Sequence, residues 1–289
     1  QPGKYDLQVV YKKARPEIER RLSNIEIVAG QINEKRVEFG EGQLSIEVLV
    51  NGQKGSAGLS IYRAGTSNRI ATGDTSRDNP KTFPLDPGAY DLEVVYKGSK
   101  PESKQRIDRI EIKAGQVSEK RIEFGEGQLS VEVLVNDKKG PAGMYIYEAG
   151  TSNRIATGDT SRDNPKVISL NAGNYDLKVV YRKAIPEKEV IIENLQIAQG
   201  QTTSQKVTYR EGTLNVKVTS GGSPTRGGLS FYLPGESKRV ATGNAGKTIK
   251  MQPGQYEVVV KAYKLDGKPE KRVPFTIQTG QSTNLDVNF

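Results

Sequence analysis

From Gln43 to Asn51 the apolar residues Leu44, Ile46, Val48 and Val50 alternate with Ser45 and Glu47. That is the period of a strand with one face buried. The same reading predicts six further short strands: Leu59 to Tyr62, Arg69 to Thr72, Thr82 to Leu85, Ala89 to Lys97, Ile107 to Lys113 and Val117 to Phe124. Seven strands separated by turn residues predict a β-sandwich, and since no stretch joins a helical period to helix caps the chain is expected to be all-β. In the fifth strand Tyr90, Leu92, Val94 and Tyr96 share one face and are expected in the core. The Pro87-Gly88 pair before it predicts a tight turn and a hairpin with the fourth strand. Tyr90 is expected either simply buried or anchoring that turn through its hydroxyl.

The pattern repeats. AGTSNRIATGDTSRDNPK stands at Ala64 to Lys81 and again, letter for letter, at Ala149 to Lys166, an offset of 85 residues. Gly42, Gly127 and Gly212 obey the same offset, as do Tyr5, Tyr90 and Tyr175. Such a period marks a tandem array. It divides the chain into residues 1–40, the C-terminal half of a repeat with its last three strands, whole repeats at 41–125 and 126–210, and a shorter, divergent repeat at 211–289. The chain therefore reads as a fragment of a longer protein. Residues 1–40 would expose Tyr5, Leu7, Val9 and Tyr11 unless the first four strands of a repeat, or a partner chain, cover them. The links Gly40-Glu41-Gly42-Gln43 and Gly125-Glu126-Gly127-Gln128 are too short for neighbours to roam, and Tyr209-Arg210-Glu211-Gly212, one Gly poorer, is expected to be stiffer. With strands of about 8 residues at about 3.3 Å each, three whole units predict a rod on the order of 100 Å.

Composition removes chemistries rather than adding them. The 289 residues contain no Cys and no His, which excludes disulfides, thiolate sites, and imidazole as base or ligand. No apolar run approaches the length needed to span a bilayer, so membrane insertion is not expected. The formal charge of +9 is spread unevenly: residues 211–289 hold 11 basic and 6 acidic groups, whereas 41–125 hold 13 and 12. Without a basic face interleaved with aromatics, nucleic acid is not an expected partner.

A GxL strand, an Ala-Gly turn, the Ala71-Thr72-Gly73 step, Pro87-Gly88-Ala89-Tyr90-Asp91-Leu92-Glu93-Val94-Val95-Tyr96 and the closing Ile110-Glu111-Ile112-Lys113-Ala114-Gly115-Gln116 resemble the prealbumin-like sandwich of carboxypeptidase-regulatory-like domains. More closely, over the whole chain, they resemble the tandem C-terminal repeats of bacterial von Willebrand factor A-domain proteins. The resemblance implies tandem seven-stranded Ig-like or prealbumin-like β-sandwiches in an elongated array, with a von Willebrand factor A domain as the upstream partner. That domain is absent here: Asp74-Thr75-Ser76-Arg77-Asp78 departs from its DxSxS metal motif at the last position. A Lys-Asn isopeptide crosslink, known in some such sandwiches, is not expected. Lys35 and Lys120 stand in phase with buried positions, but Gln205 and Leu285 replace them in the other repeats.

Three constellations carry candidate chemistry. Asp74, Ser76, Asp78 and Asn79, repeated as Asp159, Ser161, Asp163 and Asn164, space oxygens like the opening of a calcium loop, yet the sixth-position Gly and twelfth-position Glu are missing. Calcium through Asp74, Asp78, Asp159 and Asp163 stands against a plain polar loop. Gly246-Lys247-Thr248 lacks the spacing and the following helix of a phosphate loop. The loop after the fifth strand is basic in every copy: Lys12, Lys13 and Arg15; Lys97, Lys100 and Lys104; Arg182, Lys183 and Lys188; Lys264, Lys268, Lys271 and Arg272. Such studs suit an anionic polysaccharide, and equally serve solubility.

No catalytic residue and no cofactor is expected, since no carboxylate pair recurs beside a nucleophile or base. The sequence predicts a non-enzymatic stalk, spacer or fibre segment of a bacterial surface or periplasmic protein, able to self-associate into fibres. The alternative is an adhesion module that recognises an anionic polysaccharide or a protein through its repeated loops or through outward Tyr62, Tyr145, Tyr147 and Tyr232.

Overall fold

The computed structural model describes residues 1–12, 17–37 and 39–289. Every regular element among them is a β-strand. Two compact units emerge, Gln1–Glu126 with Ser169–Asn171, and Gly127–Ile168 with Ala172–Phe289.

In the first unit, β1 (Gly3–Tyr11) and β2 (Ile18–Ile27) form an antiparallel pair. There follow β3 (Gly42–Val50), β4 (Gln53–Lys54), β5 (Gly58–Arg63), β6 (Arg69–Asp74), β7 (Lys81–Leu85), β8 (Gly88–Tyr96), β9 (Ser103–Ile112) and β10 (Val117–Phe124). One sheet runs β6-β5-β8-β9. In the other, β3 is flanked by β10, β7 and the short β4. The β10 to β3 pairing is parallel, from Val117 opposite Gln43 to Phe124 opposite Val50. Between the sheets lie Leu44, Ile46, Val48, Leu59, Ile61, Leu85, Tyr90, Leu92, Val94, Tyr96, Ile112 and Ile122; the inward positions expected in β3 and β8 are among them except Val50, which is only partly buried against this core.

The second unit holds β11 (Glu126–Val135), which starts at the unit boundary, β12 (Lys138–Lys139), β13 (Gly143–Glu148), β14 (Arg154–Asp159), the first half of β15 (Lys166–Asn171), β16 (Gly173–Tyr181), β17 (Lys188–Ile197) and β18 (Thr202–Tyr209). It continues with β19 (Gly212–Ser220), β20 (Ser223–Pro224), β21 (Gly227–Tyr232), β22 (Arg239–Asn244), β23 (Thr248–Met251), β24 (Gly254–Ala262), β25 (Glu270–Ile277) and β26 (Ser282–Asn288). Its sheets run β14-β13-β16-β17 and β22-β21-β24-β25, with β11 and β19 each the centre of an opposing sheet.

Two expectations are corrected. The fourth and fifth strands do not form a hairpin: β7 pairs β3, whereas β8 pairs β5 and β9. The Pro87-Gly88 turn instead carries the chain from one sheet to the other, with Gly88 at φ +155. Residues 28–37, 39 and 40 hold no strand, although the period places the last strand of a repeat there. The physical reason is pairing, because that strand lies parallel to the first strand of its own repeat and residues 1–40 supply none. Tyr5 and Leu7 are 47% and 42% exposed for the same reason, while their counterparts Tyr90 and Leu92 are sealed.

A bulge sits at the same place in successive copies. The register of β8 and β9 slips between Tyr90 and Leu92, and Arg109 takes a left-handed φ of +57. The Asp91 carboxylate holds it, accepting from Arg109 N at 2.8 Å and Gly65 N at 2.9 Å. Asp176 does the same for Asn194 and Gly150. In the last copy Glu257 faces Pro274, which has no N–H to hold, and the ladder runs without a slip.

Candidate functional site

The twice-written segment folds into the β6 to β7 connection and its counterpart, and its polar residues are turned to the backbone. Thr75 is buried, with its hydroxyl accepting from Ala57 N at 2.9 Å and donating to Gly55 O at 2.7 Å. Asn79 works where β7 stops short of the end of β3: its Oδ1 accepts from Val48 N at 3.1 Å, and its Nδ2 donates to Val48 O at 2.7 Å and Gly55 O at 3.0 Å. One side-chain amide thus finishes the ladder that the strand leaves open. Thr160 and Asn164 repeat these bonds on Ala142, Gly140 and Val133.

The calcium candidates do not converge. Asp74 accepts from Ser76 N at 2.9 Å and from the Ser76 hydroxyl, bonds that hold its carboxyl below the usual range. Asp159 is lowered in the same way by Ser161. Asp78 pairs with Lys81 at 2.8 Å and Asp163 with Lys166 at 3.0 Å. Among the described residues no group of three or more acidic side chains is placed to share an ion.

Lys13 and Arg15 lie outside the described residues. The other basic candidates are exposed, but only part of each set is a free stud. Lys97 lies 3.9 Å from Glu102 and Arg182 3.3 Å from Glu187, so the Glu of the repeated Pro-Glu pair answers the charge beside it. Lys104, Lys188 and Lys271 sit inside β9, β17 and β25 rather than in loops. Lys271 lies over the Phe289 ring, whereas Lys12, Lys100, Lys183, Lys264 and Lys268 form no ion pair among the described residues. The outward tyrosines are half-buried, and three are capped by guanidinium groups: Arg106 over Tyr62, Arg182 over Tyr145 and Arg272 over Tyr232, at 5.6, 5.7 and 4.8 Å. A ring covered on its open face offers no platform to a sugar.

The link from Tyr209 to Gly212, expected to be the stiffer one, lies in the second unit, and the side chains that hold it were not read from the sequence. Asn136 clamps the linker backbone, accepting from Glu211 N at 3.0 Å and donating to Glu211 O at 2.8 Å. The Glu211 carboxylate, nearly sealed from solvent, accepts from the Tyr181 hydroxyl behind it and from Lys250 Nζ ahead of it at 2.6 Å. Ile185 bridges alongside, its N–H donating to Lys250 O at 3.0 Å while its carbonyl accepts from Gln252 N at 2.9 Å. Within the first unit Asn51 grips Glu126 as Asn136 grips Glu211, and Tyr96 donates to the Glu126 carboxylate at 2.8 Å. Burial, followed by that hydrogen bond, pushes the Tyr96 hydroxyl up to about 12. The signal in the sequence was the 85-residue spacing of Tyr96 and Tyr181, of Asn51 and Asn136, and of Glu126 and Glu211.

No helix among the described residues is long and apolar enough to cross a membrane. No protein-family model and no curated protein matches the chain. Among solved structures the chain is similar to the TIE protein of Bacillus anthracis, at 19% identity over 94% of this chain and 54% of that one, with a TM-score of 0.28. It is also similar to a streptococcal ancillary pilin, at 10% identity over 86% of this chain and 99% of that one, with a TM-score of 0.36. The minor pilin of Streptococcus agalactiae matches at 14% identity over 58% of this chain and 94% of that one, with a TM-score of 0.30. The chain thus spans about half the length of the first of these.

Proposed function

We propose that the chain is a non-enzymatic stalk, spacer or fibre segment of a bacterial surface or periplasmic protein, in which whole β-sandwich repeats at 41–125, 126–210 and 211–289 follow a half repeat at 1–40. A spacer must keep its modules at a set separation under thermal agitation. The observation that carries the reading is the Glu211 joint, where the linker backbone is clamped by Asn136 and its side chain is tied to the repeats on both sides. Nothing in the segment resembles a hinge, because the residue that would have to swing is buried. On this reading an upstream von Willebrand factor A domain, where present, is the functional head and this region sets its distance.

Scattering at small angles, on the wild type and on Tyr181→Phe at two concentrations, tests it. A maximum dimension that is fixed in the wild type, with a broadened distance distribution in Tyr181→Phe, supports the spacer. Growth with concentration supports a fibre. A wild-type distribution as broad as that of freely jointed beads would refute both.

A further inference from the structure

The repeat at 211–289 has lost the side chains that seal its relatives. Aligning β19 to β23 with β3 to β7, Asn244-Ala245-Gly246 replaces Asp74 to Pro80, a deletion of four residues. Ala245 stands for Thr75, and Asn79 has no counterpart. In the first whole repeat the Asn79 amide engages Val48 N–H, Val48 C=O and Gly55 C=O. The corresponding groups here are those of Val218 and Thr225. Val218 C=O is met by Thr225 N at 2.9 Å, as Val48 C=O is by Gly55 N. Val218 N–H and Thr225 C=O have lost their side-chain partner. What remains is an open groove of about 570 Å³ whose walls include Val218, Thr225, Lys217, Arg226 and Lys247.

The charge of the groove has changed as well. Lys81 in the first repeat and Lys166 in the second are each paired with the Asp of the deleted loop, at 2.8 and 3.0 Å. Lys247 occupies their position with that Asp removed. Lys217 replaces Glu47 and Arg226 replaces Ser56, so three cations line the groove against one carboxylate, Asp286.

We propose that this groove is a docking site for a peptide segment carrying an Asp-Asn pair, presented by a partner protein. The Asn carboxamide takes the place of Asn79, accepting from Val218 N–H and donating to Thr225 C=O, and the preceding Asp pairs with Lys247. The closed grooves of the other repeats show the chemistry that fits: a primary amide with a carboxylate one residue before it. No aromatic side chain lines the groove, which disfavours a saccharide as occupant. The site does not depend on the spacer reading, since it needs only the fold of residues 211–289.

The probe is a synthetic peptide with the sequence of residues 74–81, Asp-Thr-Ser-Arg-Asp-Asn-Pro-Lys, titrated into the whole chain while amide shifts are followed by nuclear magnetic resonance. Saturable shifts centred on Val218, Thr225 and Lys247 are expected. Lys247→Glu should weaken binding about tenfold, which corresponds to about 1.4 kcal/mol. A peptide with Leu for its Asn should fail to shift Val218. Grafting residues 74–80 in place of 244–246 should close the groove from within and abolish binding while leaving a folded spectrum. The proposal is overturned if the peptide does not saturate, if it binds the grafted chain as well as the wild type, or if an oligogalacturonate moves Val218 as strongly as the peptide does.

Discussion

Thr75 offers the sharpest test of why the repeated segment is written as it is. Its methyl and its hydroxyl make opposite predictions, so two substitutions separate them. Thr75→Val keeps the branched shape and deletes the hydroxyl. That leaves Ala57 N–H and Gly55 C=O, now met at 2.9 and 2.7 Å, without this partner in a site where Thr75 is only 4% exposed. A buried polar group left unpaired costs about 1–3 kcal/mol. Asn79 still reaches Gly55 C=O at 3.0 Å, so that acceptor is only partly orphaned and the total is about 2–4 kcal/mol. Thr75→Ser keeps both bonds and removes one methyl, costing about 1 kcal/mol. For a unit of this size each kcal/mol lowers the melting temperature by about 3–5 °C. Differential scanning calorimetry of the chain should therefore find the valine variant well below the serine variant. Hydrogen exchange read by mass spectrometry should localise the loosening to Gly55 through Ser60. If the valine variant melts at or above the serine variant, side-chain burial and not backbone capping explains the conserved shape of this turn, and the argument for Asn79 weakens with it.

Two other expectations follow from the same geometry. The Asp91 carboxyl is held below its usual range first by the Arg109 and Gly65 amides and then by Arg106, so its contribution to stability is complete above the unfolded value of about 3.9 and is lost as pH falls through the lower folded value. Urea melts of Asp91→Asn and the wild type should differ at pH 7 and converge in acid, and a constant gap down to pH 2 would contradict the assignment. At Gly212 an added Cβ would lie 2.3 Å from Gln278 O and 3.0 Å from Gln281 O, both backbone, whereas at Gly52, with φ +77, it meets nothing. Gly212→Ala should thus cost more than the roughly 1 kcal/mol of strain expected for Gly52→Ala, and equal melting temperatures would show that the turn after β25 yields.

The inward faces of β3, β5 and β8 were legible because alternation in a two-layer sandwich leaves few ways to bury Leu44, Ile46, Leu92 and Val94. Which strands pair was less so. A Pro-Gly turn is as compatible with crossing between sheets as with a hairpin, and only the competition of β3 for β7 decides it. The short β4 carries no hydrophobic signal, since Gln53 and Lys54 are both exposed and join β3 through backbone. The functions of Asn79, Asp91 and Glu211 were hidden for a related reason. Each is a polar residue whose partners are main-chain groups or distant side chains, and a main-chain partner leaves no mark in the sequence.

These polar residues also explain where the copies agree and where they diverge. Thr75, Asn79 and Asp91 are kept in the next repeat as Thr160, Asn164 and Asp176, and each closes a backbone group that strand pairing leaves open. The shorter repeat meets one of these needs by altering the backbone. Without the extra residue in β25 there is no bulge for an aspartate to hold, so Glu257 can face a proline. With the turn before β23 cut down, Gly246 N reaches Val216 O at 2.9 Å, at the position where Ile46 pairs with Lys81 in the first whole repeat. The needs that Thr75 and Asn79 meet are left without a side chain, because Ala245 has no hydroxyl and no amide stands at Val218. A shortening that repaired every bond would leave a featureless repeat, whereas this one removes the plug and the acidic partner of Lys247 together. The identity of residues 64–81 with 149–166 is therefore a record of backbone capping, and the place to look for recognition is the repeat in which that identity fails.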